Sequence, residues 1–270
     1  MYAPLLPPRP VDSHKALFGR IGLLGGAPGT VGALLLAGRA ALASGAGLVT
    51  LGMLDETVRV DYVTPELMFS PPGSLVSDLE LSVLAVGPGL GQSRPAFELM
   101  QVALLHPALL VIDADGLNLI ARHDELAFLC GQRMSPTLLT PHPGEAARLL
   151  QVSSRQIQGN RQLAARELTL RFNALVALKG AGTVLARPDG EIEANETGNP
   201  ALSAPGMGDV LTGMLAAFAA RVPPWEALRL AVWLHGQAAD DAVQEIGGVE
   251  GLTASELIDY ARRRLNAGAT

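Results

Sequence analysis

An aspartate between glycines, at the start of an apolar helix pattern, is the residue of this chain best placed for chemistry. Residues 197–220 begin as a loop rich in Gly, Pro, Asn and Ser and continue as an almost wholly apolar helix. The free amides and positive dipole end of such a helix favour an anion, and Gly206 and Gly208 let it approach the backbone. Asp209 alone would be interpreted as a helix cap, but beside a bound phosphate it can deprotonate an attacking hydroxyl.

A lysine and a histidine follow two other segments that are expected to be strands. Lys179 is one of only two lysines and precedes Gly180, so it can offer a phosphate a point charge and a closely approached backbone. A solvated surface lysine is the other interpretation, which the rarity of lysine in this chain disfavours. His142 stands between two prolines that restrict its backbone, and its position favours a ligand contact over a hydrogen bond to backbone alone.

Two further loops at strand ends leave alternatives open. Residues 113–118 contain two aspartates and an asparagine, whose oxygens suit Mg²⁺, but turn and helix-capping chemistry explains them equally well. Glycines at 26, 29 and 32 have neither the dinucleotide-binding spacing nor the lysine of a Walker loop. Tight strand-to-helix packing explains these glycines, although ligands do bind at such loops in open α/β sheets.

Strand patterns alternate with helix patterns along nearly the whole chain, with glycine-rich turns after the strands. Strands are expected at residues 20–24, 48–54, 81–86, 109–112, 137–140, 175–178 and 184–186, the last continuing as a hairpin to 194. Helices are expected at residues 33–44, 95–105, 141–150, 158–172, 206–220, 225–243 and 253–266. The alternation predicts a doubly wound, mostly parallel sheet in a three-layer α/β/α sandwich, with the candidate site residues at one edge.

Composition and charge exclude several functional classes. The 270 residues carry a formal net charge of −6, which disfavours a nucleic-acid partner. No signal-peptide pattern opens the chain, and no apolar run is long enough to cross a bilayer. Cys130 is the only cysteine, which excludes an internal disulfide and fits a reducing compartment. We expect a soluble, cytoplasmic protein with a proline-rich arm at residues 1–12 and one catalytic domain at 13–270.

Eight motifs in order resemble those of the ADP- or ATP-dependent NAD(P)H-hydrate dehydratases, a family with the ribokinase-like fold. The resemblance runs from residue 13 to about residue 265. The motifs are HK at 14–15, GALLLAGRAALASGAGLVT from Gly32, GPGLG from Gly87, VIDADGLN from Val111, LTPHPGE from Leu139, LKGAGT from Leu178, TGNPAL from Thr197 and GMGDVLTG from Gly206. Each motif is weak alone, whereas their shared order is specific.

This resemblance implies an enzyme that repairs hydrated NADH or NADPH, with ADP or ATP as co-substrate and with Mg²⁺. It implies that Asp209 is the base and contacts the hydrated dinucleotide, together with Ala33, Gly89 and His142. The residues implied to contact the adenine nucleotide are Lys179, Gly180, Ala181, Gly182, Thr183 and Gly208. The family also has an epimerase domain in some members; this chain has no room for it, so we expect a separate epimerase protein. A homo-oligomer such as a tetramer is expected as well.

The chain departs from the family pattern in three ways. Pro205 and Met207 stand where the family usually has Gly and Thr, so one hydroxyl that can bind phosphate is lost. Ala16 replaces the glycine after His-Lys, and the aromatic residue usual in the first glycine loop is absent. These changes bear on affinity and nucleotide preference more than on reaction type.

Two alternative functions use the same residues. A ribokinase-like kinase for a small alcohol or vitamin precursor would use Asp209 and the helix mouth but keep its phosphorylated product. The GPGLG and TPHPGE motifs disfavour it. A nucleotide-binding sensor without activity is the second alternative, suggested by Pro205 and Met207.

Overall fold

One nine-stranded sheet organises the residues that this computed structural model describes, 6–267. Its strands are β1 (Arg20–Gly25), β2 (Leu48–Met53), β3 (Met68–Ser70), β4 (Val83–Val86), β5 (Leu109–Ile112), β6 (Thr137–Leu139), β7 (Leu175–Leu178), β8 (Val184–Ala186) and β9 (Ile192–Ala194). Their order across the sheet is β3-β2-β1-β4-β5-β6-β7-β8-β9. Strands β1 to β7 are parallel, and β8 pairs antiparallel with both β7 and β9.

Helices cover both faces of this sheet. They are α1 (Val31–Ala43), α2 (Pro72–Leu75), α3 (Arg94–Leu105), α4 (Ala114–Arg122), α5 (Asp124–Gly131), α6 (Pro143–Leu150), α7 (Ser154–Gly159), α8 (Arg161–Phe172), α9 (Met207–Ala219), α10 (Pro224–Ile246) and α11 (Ala254–Asn266). One hydrophobic core joins the sheet to α1, α9, α10 and α11, and a second joins it to α3, α4, α5, α6 and α8. The predicted three-layer α/β/α sandwich is confirmed.

The inner strands β4, β5 and β7 are apolar throughout because both faces of the sheet are buried there. In β4, Val83 and Ala85 belong to the first core, whereas Leu84 and Val86 belong to the second. Burial also explains why α9 is apolar nearly all round, since this helix packs against α1 and α10 as well as against the sheet. A Cβ on Gly213 would lie 2.0 Å from the carbonyl oxygen of Ala37, so this glycine permits the close approach of α9 to α1.

The strand order creates a crevice at one edge of the sheet. From β1 the chain moves outward to β2 and β3, and then returns to add β4 on the opposite side of β1. The helices that follow β1 and β4 therefore lie on opposite faces of the sheet, and ligands of doubly wound sheets bind at such a point. The loops after β5, β6 and β7 open at the same edge because these strands run parallel.

Most predicted elements are confirmed with shifted ends, including the β8–β9 hairpin and the last helix. The helix predicted at 158–172 is confirmed from Arg161 to Phe172, whereas residues 158 and 159 belong to the preceding helix α7. Asn160 has an extended φ of −153° between α7 and α8, and its side chain accepts a 3.0 Å hydrogen bond from the Leu163 amide, which starts a new helix. The prediction missed β3, α2 and α5, which are short and lack a clear periodicity.

The predicted proline-rich arm lies partly outside the described residues, because the structure describes the chain from residue 6. Residues 6–10 have no regular secondary structure, but they lie against the sandwich. The Arg9 guanidinium is 3.8 Å from the centre of the Phe18 ring and donates a 2.6 Å hydrogen bond to the Gly45 carbonyl. The division into an arm and a catalytic domain stays a prediction. Within residues 6–267, no helix combines the length and apolarity needed to cross a membrane.

Candidate active site

The N-terminal end of α9, which we call its mouth, is open, and its backbone conformation requires a glycine. Gly206 caps the helix with a φ of +86°, and a Cβ there would lie 2.6 Å from a methyl carbon of Leu36 in α1. Only glycine combines this left-handed conformation with the available space. Within residues 6–267, no side chain caps the first amides of α9, so they remain available to an anion. Asp209 lies in this first turn and is half-buried.

The carboxyl group of Asp209 is tuned towards neutral pH. Burial raises its pKa to about 7, the negative charge of Asp113 adds to the rise, and the Lys179 ammonium opposes it. A general base works best when its pKa lies near the working pH. Asp209 therefore has both the location and the proton affinity of a base for a bound hydroxyl.

Lys179 and Asp113 form an ion pair directly beneath this turn. The Lys179 Nζ atom lies 2.6 Å from Asp113 Oδ1, and the Thr212 hydroxyl donates a 2.9 Å hydrogen bond to Asp113 Oδ2. The two ionic side chains are 20% and 2% exposed, so the solvated-lysine interpretation is wrong. A Cβ on Gly208 would lie 3.3 Å from Nζ, which shows how closely the lysine approaches the helix mouth.

This pairing determines how both charges behave. Burial lowers the pKa of Lys179, but the carboxylates of Asp113 and Glu145 outweigh burial and raise it above the ordinary lysine value. The ammonium is thus held charged at the helix mouth. We call Asp113, Glu145, Lys179 and Asp209 the charged cluster.

His142 caps α6 with its own ring. Its Nδ1 atom accepts hydrogen bonds from the amides of Gly144, at 2.9 Å, and Glu145, at 3.3 Å. The ring hydrogen is therefore on Nε2, which lies 3.2 Å from Glu145 Oε1. Burial and the nearby cations Lys179 and Arg148 lower the pKa of His142, in keeping with a neutral ring. The side chain is 49% exposed, so the predicted substrate contact would use the ring's exposed part.

Glu145 is the member of the charged cluster that the sequence-based assignment missed. Its side chain is 5% exposed, and burial raises its pKa to about 7 although Lys179 acts against the rise. Glu145 Oε2 also accepts a 2.7 Å hydrogen bond from the His142 amide, which completes a capping box. The sequence signal that could have identified Glu145 is its position three residues after the helix cap His142, which is the spacing of a capping box.

Hydrogen bonds from an arginine of α8 fix the loop that follows β7. Arg161 donates 2.5 Å and 2.8 Å hydrogen bonds to the carbonyls of Ala181 and Leu178, and the atoms of its guanidinium lie under Gly180, whose φ is +139°. The Thr183 hydroxyl donates to the Gly180 carbonyl at 3.1 Å. Residues 179–183, all predicted to contact the adenine nucleotide, thus form one braced loop next to Gly208.

The loops after β1 and β4, residues 26–30 and 87–91, are joined to each other by hydrogen bonds, and we call them the switch loops. The Ala27 amide donates to the Gly89 carbonyl at 2.6 Å, and the Thr30 hydroxyl donates to the same oxygen at 2.9 Å. Gly89 has a φ of +60° and lies so close to Thr30 that a Cβ would be 2.4 Å from its carbonyl oxygen.

Ala33 follows the first switch loop in the first turn of α1, one turn before Leu36 touches the α9 mouth. By the strand order, Ala33 and Gly89 follow β1 and β4 on one side of Asp113, the neighbour of Asp209, and the loop of residues 179–183 follows β7 on the other. His142 lies between them, at the start of α6.

The possible metal ligands at residues 113–118 are engaged in protein contacts. Asp113 is paired with Lys179 and makes no cap, Asp115 accepts a 2.9 Å hydrogen bond from the Gly91 amide, and Asn118 accepts one from Arg148. Across the part of the chain that the structure describes, no three His, Cys, Asp or Glu side chains are grouped to hold a metal ion. Both interpretations of this segment therefore miss its main contact, the ion pair.

Known proteins resemble this chain over nearly its whole length. Residues 21–263 match the family model for NAD(P)H-hydrate dehydratase. The ADP-dependent (S)-NAD(P)H-hydrate dehydratase of Neisseria meningitidis is 39% identical over 94% of this chain and 87% of its own length. A bifunctional NAD(P)H-hydrate repair enzyme of Moorella thermoacetica is also 39% identical over 94% of this chain, which spans only 51% of that relative.

Solved structures agree with these sequence matches. The ADP/ATP-dependent NAD(P)H-hydrate dehydratase of Bacillus subtilis, co-crystallised with ATP and Mg²⁺, superposes with a TM-score of 0.84 at 31% identity, covering 97% of this chain and 95% of its own. A ribokinase-like superfamily protein of Enterococcus faecalis gives the same TM-score at 25% identity, over 97% and 92% of the two chains. The predicted ribokinase-like fold is confirmed, and the chain belongs to the NAD(P)H-hydrate dehydratase family.

Proposed function

We propose that this protein is a lyase that uses ADP or ATP to dehydrate hydrated NADH or NADPH and so regenerates the reduced dinucleotide. The observation that carries the proposal is Asp209, whose pKa is raised to about 7 in the uncapped first turn of α9, beside the Lys179–Asp113 ion pair. Family membership supports this reaction over the kinase and the sensor.

The chemistry begins with a poor leaving group. Water added across a double bond of the nicotinamide ring leaves a hydroxyl, and hydroxide departs slowly. Asp209 takes the hydroxyl proton while the ring oxygen forms a bond to the terminal phosphorus of the nucleotide. The bond from that phosphorus to its bridging oxygen breaks, and AMP leaves from ADP or ADP leaves from ATP. The lone pair of the ring nitrogen then expels inorganic phosphate, and loss of a ring proton restores the double bond.

The protein's electrostatic contribution comes from groups that are already in place. The amides of the first turn of α9, including that of Gly208, would face the transferring phosphoryl group, and Lys179 adds a fixed positive charge beneath it. Preorganised donors of this kind need no rearrangement during the reaction. The braced loop of residues 179–183 would hold the rest of the nucleotide, with Gly180, Ala181, Gly182 and Thr183 offering backbone contacts.

Mg²⁺ fits this site as an ion held mainly by phosphate oxygens, because Mg²⁺ usually takes only one or two carboxylates from a protein. Glu145 is the carboxylate suited to it, since its Oε1 lies 3.2 Å from Nε2 of the neutral His142 ring and, within residues 6–267, it forms no salt bridge with a lysine or arginine. When bound, Mg²⁺ would neutralise charge on the nucleotide phosphates. Glu145 would orient that ion while Asp209 stays free to take the proton.

The hydrated ring would bind on the side of the switch loops. Ala33 and Gly89 offer backbone and small side chains there, and the exposed part of the His142 ring would complete the contact. A separate epimerase, a homo-oligomer such as a tetramer, and a cytoplasmic location stay predictions.

The test is incubation of hydrated NADH with ADP or ATP, with and without Mg²⁺. The expected result is recovery of the absorbance band of reduced nicotinamide together with release of inorganic phosphate. A stable phosphorylated product from a small alcohol, without recovery from the hydrate, would favour the kinase. Tight nucleotide binding without turnover of any hydrate would favour the sensor.

A further inference from the structure

A cavity of about 370 Å³ lies at the carboxyl ends of β2 and β3, outside the charged cluster. Its walls include the apolar side chains of Met53, Val58 and Phe69, and Glu56 and Arg59 contribute charged groups. This volume lies in the range of small-ligand sites, whose walls are mostly apolar with a few polar groups. None of the residues assigned above to the hydrate or to the nucleotide lines it.

The cavity adjoins the first switch loop, which leads into the helix that carries Ala33. A Cβ on Gly26, in the first switch loop, would lie 2.1 Å from Met53 Sδ and 3.3 Å from Leu34 Cβ in α1. Gly26 thus separates the cavity wall from the first turns of α1. In that helix, Leu36 reaches the α9 mouth at Gly206.

The spacing of the strands gives the distance from the reacting centre. Asp113, beside Asp209, follows β5, and three strand intervals separate β5 from β2 in the order β5-β4-β1-β2-β3. With neighbouring strands about 4.8 Å apart, the cavity at β2 and β3 lies roughly 14–17 Å from Asp113 along the sheet edge. The two bases of an extended dinucleotide, joined by two riboses and a pyrophosphate, can span such a distance.

The chemistry of the walls suits the end of a dinucleotide. Met53 and Phe69 offer a polarisable and a flat apolar surface for a purine. Arg59 uses its Nε to donate to the Glu56 carbonyl at 3.2 Å, and within residues 6–267 its terminal nitrogens donate to no other group. A guanidinium with free terminal nitrogens binds phosphate well, and a carboxylate such as Glu56 accepts from ribose hydroxyls.

Between the cavity and Asp209 lies the first turn of α1, which no side chain caps in the part of the chain that the structure describes. The Thr30 hydroxyl at its start donates instead to the carbonyls of Ala27 and Gly89. The Ala33 amide donates to the Thr30 carbonyl at 3.2 Å, so the Val31 and Gly32 amides are the ones left for the pyrophosphate that would join the two halves of the ligand.

We propose that this cavity binds the adenosine half of the hydrated dinucleotide, with Arg59 at its phosphate groups. The inference rests on the proposed function, since it extends the same substrate from the charged cluster to β2 and β3. It makes the cavity a subsite that distinguishes a dinucleotide from a mononucleotide.

The experiment compares two substrates at saturating nucleotide: hydrated NADPH and the hydrate of reduced nicotinamide mononucleotide, which lacks the adenosine half. The variants are Arg59→Gln, on an exposed side chain, and Ser70→Phe, which fills the cavity. We expect each to raise the KM for hydrated NADPH roughly tenfold, as for loss of a charged hydrogen bond, and to leave the KM for the mononucleotide hydrate within about twofold. Arg155→Gln, an exposed arginine of α7, is the matched control and should change neither KM.

Equal effects on the two substrates, or no effect on either, would overturn the inference while leaving the proposed function intact. Absence of turnover of both hydrates by the unsubstituted protein would overturn the proposed function and this inference with it. Thermal unfolding identifies a Ser70→Phe protein that fails to fold, and the Arg59→Gln result then decides alone.

Discussion

The charged cluster and the switch loops lie at the same edge of the sheet but are built on opposite principles. The cluster consists of buried ionisable side chains whose pKa values shift because they lack water and face one another. The switch loops consist of backbone groups joined by hydrogen bonds, at positions where a Cβ finds little room. The first region can therefore move protons, whereas the second can mainly determine shape. Substitutions should separate these two contributions.

Replacing the base should have the largest effect. Asp209→Asn keeps the size of the side chain but removes the proton acceptor, so kcat for the hydrate should fall roughly 10²- to 10⁴-fold. Asp259→Asn, at a 62% exposed carboxylate of α11, is the control and should retain full activity. Turnover of Asp209→Asn at the rate of the unsubstituted protein would remove Asp209 as the base.

The pH dependence of activity and of stability should also report the ionisation of Asp209. Because the pKa of Asp209 is raised to about 7, kcat/KM should fall about tenfold per pH unit below pH 7, as the carboxylate takes up its proton. Stability should respond in the opposite direction. A carboxyl whose pKa is higher in the folded than in the unfolded chain stabilises the fold at low pH, and this stabilisation is lost as pH rises from about 4 to 7.

The measurement is the free energy of unfolding of Asp209→Asn and of the unsubstituted protein between pH 4 and pH 8. The asparagine variant should gain relative stability as pH rises, because it no longer carries a charge that burial disfavours. Parallel stability profiles would contradict the shifted pKa. Glu145, whose pKa is raised in the same direction, remains in both proteins and cancels in the comparison.

The brace beneath the nucleotide loop should affect one substrate only. Arg161→Gln removes hydrogen bonds from a charged donor to the carbonyls of Leu178 and Ala181, so the KM for ADP or ATP should rise about tenfold. The KM for the hydrate should stay nearly constant. Arg166→Gln, an exposed arginine of the same helix, is the control. A uniform loss of stability with no change in the nucleotide KM would mean that Arg161 serves packing alone.

A smaller effect is expected in the switch loops. Gly89→Ala combines a left-handed backbone, which costs about 1–2 kcal/mol for other residues, with a Cβ only 2.4 Å from the Thr30 carbonyl oxygen. The hydrate KM should rise severalfold and the melting temperature should fall. Gly29→Ala has a similar φ of +87° but nothing within 4 Å of its Cβ, so it measures strain without crowding. Equal effects of the two substitutions would mean that the close approach at Gly89 is unimportant.

The smallest kinetic effect should come from the residue that replaces the family's threonine. The Met207 side chain is 2% exposed and belongs to the core, while its carbonyl oxygen accepts a 2.9 Å hydrogen bond from His235 Nε2. Met207→Thr should therefore leave kcat and the nucleotide KM within about twofold but destabilise the fold by roughly 1–3 kcal/mol. A marked fall in the nucleotide KM would show that a hydroxyl there does reach the phosphate.

Local sequence predicted the parts of the site that depend on neighbours along the chain. The apolar pattern after Asp209 predicted a buried helix with an open mouth, and the proline-flanked His142 predicted a rigid helix start. Both follow from rules that act within one or two turns. Parallel strands with glycine-rich ends then place these segments at one edge of a sheet, which is why most candidate residues lie together in the structure.

The partners of these residues could not be predicted in this way. Asp113 was interpreted as a metal ligand or a cap, but its contact is Lys179, 66 residues away. Glu145 was missed because its burial depends on the packing of α6 against the cluster rather than on its motif. The inward direction of Met207 likewise follows from the packing of α9 beneath α1 and α10.

The sequence by itself determined the strand–helix alternation, the open mouth of α9 and the family, because these follow from short-range periodicity, turn chemistry and motif order. Tertiary structure alone decided which charges meet, how far the pKa values of Asp209 and Glu145 move, and where the cavity beside β2 and β3 opens. The physical reason is that burial and electrostatic interaction depend on distances between segments far apart in the chain. Those distances are determined by strand order and helix packing, which no local pattern contains.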